Sequence, residues 1–163
     1  MRKIRIYLDT SAIGHLVADD TPERKQDTHT FWNILREDQF FDVFISSVTE
    51  QELDACSQPT RTILLQHLAE ISFTTIEETE EILDLADEYV KRGVLSKKHF
   101  SDLLHIAHAV VAGCAIIVSW NFKHFVNIRT IDRVNAVNLT SGYQQVRIVP
   151  PSMLISEGDD YEL

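Results

Sequence analysis

Short apolar segments alternate with longer helical segments along this chain, and that alternation constrains the fold more than any other feature. Residues 4–8 (IRIYL) and 42–47 (DVFISS) contain the β-branched and aromatic residues typical of strands. Residues 115–119 (AIIVS) form a run of five bounded by Gly113 and by Trp120 and Asn121, which predicts a central strand buried on both faces. Residues 146–149 (VRIV) predict a last strand before two prolines.

The segments between these strands have the end signals and apolar spacing of helices. Thr21, followed by Pro22 and Glu23, places a capping residue, a proline and an acid where a helix begins, so we predict a helix over residues 22–36. A pair of acids soon after the second strand is typical of the first turn of another helix. Further helices are predicted over residues 58–69, 76–91, 98–112 and 128–137, with a short strand at 71–75.

Strands that alternate with helices predict an α/β fold, in which a mostly parallel sheet is covered by helices on both faces. The length of 163 residues suits one domain with one core. We therefore predict a single domain over residues 1–150 and an acidic, loose C-terminal tail over residues 151–163.

The acidic composition narrows the classes of partner. The chain has 25 acidic and 15 basic side chains and a formal net charge of −10, which disfavours broad, non-specific association with phosphate backbones. The excess of acid is compatible with carboxylates clustered around a divalent cation, because the ion then supplies the positive charge that a phosphodiester requires. It also suits a basic protein partner.

The sequence predicts neither a membrane span nor a secretion signal. No apolar run reaches the ~18 residues of a transmembrane helix, and the N-terminus enters a strand pattern without the apolar stretch of a signal peptide. We therefore expect a soluble, cytoplasmic protein that does not bind membranes. Cys56 and Cys114 have no CxxC spacing, which indicates neither a zinc site nor a disulfide framework and predicts two buried thiols.

Four polar positions fall where predicted strands end or on helices that face those ends. In parallel sheets, ligands bind beyond the carboxyl ends of the strands. Asp9 directly follows the first strand, Asn121 follows the central strand, and Glu52 lies one turn into the helix after the second strand. Asp102 begins another helical segment and shares a helix face with His105, one turn later.

Each of these positions also has an ordinary structural interpretation. Asp9 is a common type of helix N-cap, and Asn121 is a common turn former. Glu52 can be a solvated acid favoured by the helix dipole, and Glu50 competes with it for a role in a site. Asp102 is equally typical of a helix surface. The convergence of all four favours a metal site, because three carboxylates about 2 Å from a cation would suit Mg²⁺ or Mn²⁺ in phosphodiester hydrolysis.

Four motifs at these positions resemble the PIN-domain family, and its VapC-like toxins in particular, over nearly the full chain. Residues 7–11 (YLDTS) resemble the opening strand and first acid of that family, and residues 46–53 (SSVTEQEL) are similar to its Ser-x-x-Thr-x-x-Glu-Leu segment. Residues 102–107 (DLLHIA) resemble its third acidic motif, and residues 118–125 (VSWNFKHF) resemble its closing motif. The resemblance implies a three-layer α/β/α PIN-like fold with a mostly parallel sheet and bound Mg²⁺ or Mn²⁺.

The resemblance also implies a function and a set of site residues. It selects Glu52 over Glu50 and implies that Asp9, Glu52 and Asp102 bind the metal. It implies a metal-dependent endoribonuclease that cleaves single-stranded RNA as the toxin of a type II toxin–antitoxin pair, with a cognate antitoxin and a homodimer as the usual partners. The predicted catalytic residues are Asp9, Glu52, Asp102 and Asn121. Many relatives have Asp at the position of Asn121. An amide is a weaker metal ligand than a carboxylate and cannot serve as a base.

Several neighbouring residues receive supporting roles. Thr10 or Ser11 would support the metal ligands through hydrogen bonds. His105 and His124 would contact the scissile phosphate or serve the structure alone, and Asp132 is a hypothetical replacement for the missing fourth carboxylate.

Other function classes fit less well. A PIN-like protein with a weakened site, acting as a protein-binding or regulatory module, is the main alternative and is favoured by Asn121 and by the acidic composition. A phosphatase of the same sheet type would place a second Asp two residues after the first, where this chain has Ser11. A nucleotide-binding protein would show GxGxxG after the first strand, and this motif is absent.

Overall fold

A five-stranded parallel sheet forms the centre of the molecule in a computed structural model, which describes residues 2–155. Its order is β3-β2-β1-β4-β5, and every neighbouring pair is parallel. The predicted α/β fold with a parallel sheet is confirmed. β1 lies in the middle, and β4, the strand predicted to be central, is an interior strand beside it. The strands are β1 (Ile4–Leu8), β2 (Phe41–Ser46), β3 (Thr74–Ile76), β4 (Ile116–Val118) and β5 (Arg147–Val149).

Helices cover both faces of the sheet. Those of the described residues are α1 (Thr10–Gly14), α2 (Pro22–Glu37), α3 (Ser47–Asp54), α4 (Thr60–Leu68), α5 (Glu80–Lys91), α6 (Phe100–Val111) and α7 (Ile128–Thr140). Because neighbouring residues of a strand point to opposite faces, Tyr7 packs in one core with α5, α6 and α7, whereas Ile6 and Leu8 pack in a second core with α1, α2 and α4. The predicted three-layer α/β/α arrangement is therefore confirmed.

The boundary between β3 and α5 differs from the prediction. The strand predicted over residues 71–75 instead ends at Ile76, which pairs with the last residue of β2. The helix predicted from residue 76 begins at Glu80, because the hydroxyl of Thr79 caps it by accepting the backbone N–H of Ile82 at 3.3 Å. The end of β3 and the start of α5 therefore both lie closer to the C-terminus than predicted, and the Thr79 cap sets the start of α5.

The chain after β5 packs against the rest of the molecule. A turn of 3₁₀ helix at Pro151–Met153 contacts α2, Pro151 is buried, and Leu154 packs against the core that α2 covers. Residues 151–155 are therefore packed rather than loose. They begin the tail predicted over residues 151–163, of which residues 156–163 lie outside the described part of the chain.

Two other predictions concern membranes and thiols. No helix within residues 2–155 has both the length and the apolar character needed to cross a membrane. Both cysteines are free thiols; Cys114 is buried as predicted, whereas Cys56 is partly exposed, so the prediction of two buried thiols is wrong for Cys56.

Candidate active site

Polar residues lie at the ends of three neighbouring strands, at one edge of the sheet. β1, β2 and β4 are adjacent and parallel, so their carboxyl ends meet at the same edge. Asp9 follows β1, Ser46 ends β2, and Ser119 follows β4. Asp9, the first predicted site residue, consequently lies at the middle of this edge.

Asp9 is a buried carboxylate held by three donors. Its Oδ1 accepts the backbone N–H of Ala12 at 2.9 Å and the hydroxyl of Ser11 at 2.7 Å. Its Oδ2 accepts the hydroxyl of Ser119 at 2.5 Å, and the residue is 3% exposed. Burial raises the pKa of Asp9, an effect that His105 and these donors oppose. Asp9 is thus both the N-cap of α1, a short helix that the sequence did not predict, and a rigid acid at the sheet edge.

Glu52 lies at the end of a chain of hydrogen bonds that starts in the core. Its Oε1 accepts a hydrogen bond from His105 Nε2 at 2.6 Å, and His105 Nδ1 lies 2.6 Å from the hydroxyl of Tyr7. The same hydroxyl lies 2.7 Å from Ser46 Oγ. His105 is 3% exposed, whereas the side chain of Glu52 is 41% exposed. The chain therefore connects the buried face of the sheet to a carboxylate that solvent reaches.

The charge state of Glu52 follows from its burial and from its contact with His105. Partial burial acts to raise the pKa of Glu52, but the hydrogen bond and the charge of His105 outweigh it and lower that pKa. Burial raises the pKa of Tyr7, so its hydroxyl stays protonated. Because a carboxylate can only accept, His105 Nε2 carries the proton that it shares with Glu52. Glu52 is therefore an anion whose orientation depends on His105.

Asp102 belongs to a second group, together with two histidines. Its Oδ2 lies 2.9 Å from His124 Nδ1 and 4.0 Å from His99 Nδ1. The ring centroids of the two histidines are 4.0 Å apart, and all three side chains are partly exposed. Within residues 2–155, this is the one group of three His, Cys, Asp or Glu residues whose ligand atoms lie within 4.8 Å of one another.

Asn121 shapes the turn that joins these two groups. Its Oδ1 accepts the backbone N–H of His124 at 2.9 Å, and its own N–H donates to Ser119 Oγ at 3.0 Å. Ser119 also binds Asp9, and His124 binds Asp102. The amide oxygen of Asn121 therefore stabilises the turn. Asn121 is linked to Asp9 through Ser119 and to Asp102 through His124.

The fold that carries this site matches a known structure. One match is a crystal structure of VapBC2 from Rickettsia felis bound to a DNA fragment from their promoter, with a TM-score of 0.59 over 90% of this chain and 98% of that chain. The chain has a PIN-like fold. Sequence identity to that structure is 14%. No family model and no curated protein matches the sequence, so the likeness is one of fold.

The three acids predicted for the PIN-like site occupy neighbouring groups rather than one cluster. Within residues 2–155, Asp9, Glu52 and Asp102 do not bring their oxygens together within 4.8 Å. Close carboxylates repel one another unless a positive charge lies among them, and here serine hydroxyls and imidazoles surround them instead. Ser101, beside Asp102, donates to Glu52 Oε1 at 3.4 Å, so α3 and α6 hold these two acids side by side.

The donor set of this edge fits a divalent cation. Mg²⁺ and Mn²⁺ prefer oxygen ligands and retain several waters. Glu52 and Asp102 are partly exposed, so both can turn toward an ion. The hydroxyl of Thr10 is buried beside Glu52 and helps to lower the pKa of that carboxyl group, so an ion bound by Glu52 would have a further oxygen close to it.

The remaining predicted residues have partners of their own. Glu50 accepts a hydrogen bond from Thr75 at 2.9 Å, so it faces β3 and does not replace Glu52. Asp132 is exposed on α7 and makes no hydrogen bond with the site among the described residues. His105 is buried between Tyr7 and Glu52, so its position suits orienting Glu52 rather than contacting a phosphate.

Three residues of this edge were missed from the sequence. Tyr7 reads as an ordinary apolar strand residue, and its partner His105 is 98 positions away. Ser119 reads as the end of a strand, although it donates to Asp9 across 110 positions. His99 had a usable signal, because it precedes Asp102 by three residues and so shares one face of a helical turn with it.

Proposed function

We propose that this chain is a metal-dependent endoribonuclease that cleaves single-stranded RNA as the toxin of a toxin–antitoxin pair. The observation that carries the proposal is the buried carboxylate of Asp9, held by three donors at the end of the middle strand, with Glu52 on α3 and Asp102 on α6. A rigid acid at the carboxyl edge of a parallel sheet is placed for ligand binding. The PIN-like fold supports the nuclease class.

In this proposal Asp9, Glu52 and Asp102 bind Mg²⁺ or Mn²⁺. When bound, the ion supplies positive charge to the phosphodiester and favours deprotonation of the attacking water. Asp9 provides a fixed anchor because its position is set by the backbone of α1. In the net reaction, the water oxygen bonds to phosphorus, the phosphorus–oxygen bond of the ester breaks, and the departing oxygen takes up a proton.

The surrounding residues orient the acids and move protons. His105 holds Glu52, and Asn121 holds the backbone of His124. His124 is 19% exposed, and its Nδ1 lies beside Asp102, so this imidazole is placed to give a proton to the departing oxygen. Asn121 acts by positioning His124, because a neutral amide cannot act as a base.

The proposed partners follow from the same fold. A cognate antitoxin protein is the expected regulator, since the matching solved structure is a VapBC2 assembly. A homodimer and a cytoplasmic setting complete the proposal, and two free thiols suit a reducing compartment.

The alternative is a PIN-like regulatory module with a weakened site. The observation that favours it is the state of the fourth ligand position, where Asn121 offers no carboxylate and its Oδ1 already accepts the backbone N–H of His124. In that case the protein would bind a metal weakly and act through contacts with another protein.

Cleavage of labelled single-stranded RNA in Mn²⁺ or Mg²⁺ separates the two. Wild-type protein should cut in the presence of either ion, and Asp9→Asn should lose at least about 100-fold in rate because it removes the charge of the anchoring ligand. Asp42→Asn, an exposed carboxylate near the amino end of β2, is the matched control and should cut normally. Unchanged cutting by Asp9→Asn would remove the site assignment, and metal binding without cutting would favour the regulatory module.

A further inference from the structure

A cavity of about 710 Å³ is lined in part by the turn that carries His124. It is bordered by the C-terminal end of α5, the loop that follows it, the turn between β4 and α7, and the first turns of α7. Its basic lining residues are Lys123, Arg129 and Arg133, and its exposed aromatic residue is Phe122. We call this cavity, with these four side chains, the basic groove.

The charge of the basic groove is opposite to that of the chain. The chain carries a formal net charge of −10, yet the described lining residues include three cations and no Asp or Glu. Arg133 is anchored, because its Nη1 donates to the carbonyl oxygen of Gly93 at 3.0 Å. Arg129 and Lys123 are exposed. A local concentration of cations in an acidic protein favours a polyanion that is bound here and repelled elsewhere.

Phe122 gives the groove an apolar platform. Its side chain is 43% exposed, and the guanidinium of Arg24 lies 5.0 Å from its ring centroid. The same guanidinium lies 5.5 Å from the ring centroid of Trp120. An exposed aromatic ring beside cations matches the way proteins bind single strands, by stacking bases and contacting phosphates.

The basic groove shares two chain segments with the group around Asp102. Lys123 is followed directly by His124, and the lining residue Ser96 precedes His99 by three positions. His99 and His124 both face Asp102. A bound strand would reach Asp102 by extending along these two segments.

We propose that the basic groove binds the backbone of the single-stranded substrate as it approaches the acids, with one base stacked on Phe122. The three cations contact phosphates, and the contacts carry no base specificity. The identity of the strand as RNA rests on the proposed function. The proposed contacts to the groove are made by phosphates and by the face of one base, which RNA and DNA strands share.

Binding of a fluorescently labelled oligoadenylate in EDTA tests the phosphate contacts without cleavage. Lys123→Gln, Arg129→Gln and Arg133→Gln should each weaken binding, and each should reduce the slope of log affinity against log salt by about 0.7. Arg147→Gln is the matched control, because Arg147 is exposed at the amino end of β5, at the opposite edge of the sheet. Loss of affinity in Arg147→Gln equal to that in the groove variants, or no loss in any of them, would overturn the proposal.

Phe122→Leu tests the stacking contact while it keeps an apolar side chain. Oligoadenylate binding should weaken at least about fivefold, which is the lower end of the value of one stacked base. Binding of an abasic strand of the same length should not change. Equal effects on both strands would show that Phe122 does not stack a base. Thermal unfolding of each variant identifies any loss of fold. Arg133→Gln removes the hydrogen bond to Gly93, whereas Arg129→Gln does not, so Arg129→Gln still tests the groove if Arg133→Gln is unstable.

The test separates the groove from the proposed nuclease. Cutting that persists with unaltered binding in the groove variants would overturn the groove and leave the nuclease intact. Charge-dependent binding in EDTA without any cutting in Mn²⁺ would support the groove and overturn the nuclease. A DNA oligonucleotide of the same sequence should show the same losses, because the proposed contacts are to phosphates and base faces.

Discussion

Asp9 caps a helix and is also a proposed metal ligand. Its Oδ1 caps α1 through the N–H of Ala12, and the carboxylate lies at the end of the middle strand of the sheet. Burial raises the pKa of Asp9, while Ser11 and Ser119 stabilise the charged form by donating to it. The folded chain without a cation therefore holds a carboxylate that is harder to ionise than in the unfolded chain.

This raised pKa predicts a pH dependence of stability. A carboxyl group whose folded pKa exceeds its unfolded value stabilises the fold below the unfolded pKa, and that stabilisation is lost as pH rises through the folded pKa. Asp9→Asn removes this dependence. We therefore expect urea unfolding in EDTA to show that the variant gains stability relative to wild type as pH rises from acidic to neutral, because all other titrating groups are shared. A difference between the two proteins that does not vary with pH would contradict this account of Asp9.

The turn between β4 and α7 is the element that positions the second half of the site. Asn127 accepts the N–H of Thr130 at 2.8 Å as the N-cap of α7, and its Nδ2 donates to the carbonyl oxygens of Phe122 and Lys123, each at 3.0 Å. One side chain thus starts the helix and holds the turn that carries His124. The turn and the helix are consequently coupled.

Asn127→Ala should therefore lower both stability and cleavage. Loss of an N-cap costs about 1 kcal/mol, and the turn that carries His124 loses two hydrogen bonds. Thr79→Ala is the control, because it removes the N-cap of α5 at a similar cost without touching that turn. Urea unfolding should show that both variants are destabilised, Asn127→Ala by more because it also loses the two hydrogen bonds of the turn, while RNA cleavage should fall in Asn127→Ala alone. Equal cleavage by both variants would show that this turn does not position the site.

Much of the element order was predictable, because strand and helix signals are local. The strands at 4–8 and 42–47, and the acid at the end of the first, follow from residue type and short-range spacing. The partners of the acids were not predictable in the same way. The contact between Glu52 and His105 joins residues 53 positions apart, and it depends on how α3 packs on α6. The start of α5 was misplaced because one hydroxyl, that of Thr79, decides it.

At the scale of the whole molecule, charge is segregated. A second cavity, of about 450 Å³, is lined by four acids of α5, Glu80, Glu81, Asp84 and Glu88. The basic groove begins at the other end of the same helix. An acidic chain can therefore present one positive approach to its acidic site, and a cation bound at the sheet edge would extend that positive region to the end of β1.

We propose that Asp9, Glu52 and Asp102 bind one divalent cation. Anomalous scattering from crystals of the protein grown with Mn²⁺ tests this proposal most directly. We expect one strong peak about 2 Å from an oxygen of each of these three carboxylates. A strong peak bound by His99, Asp102 and His124 without Asp9 or Glu52, or no peak at this edge of the sheet, would contradict it.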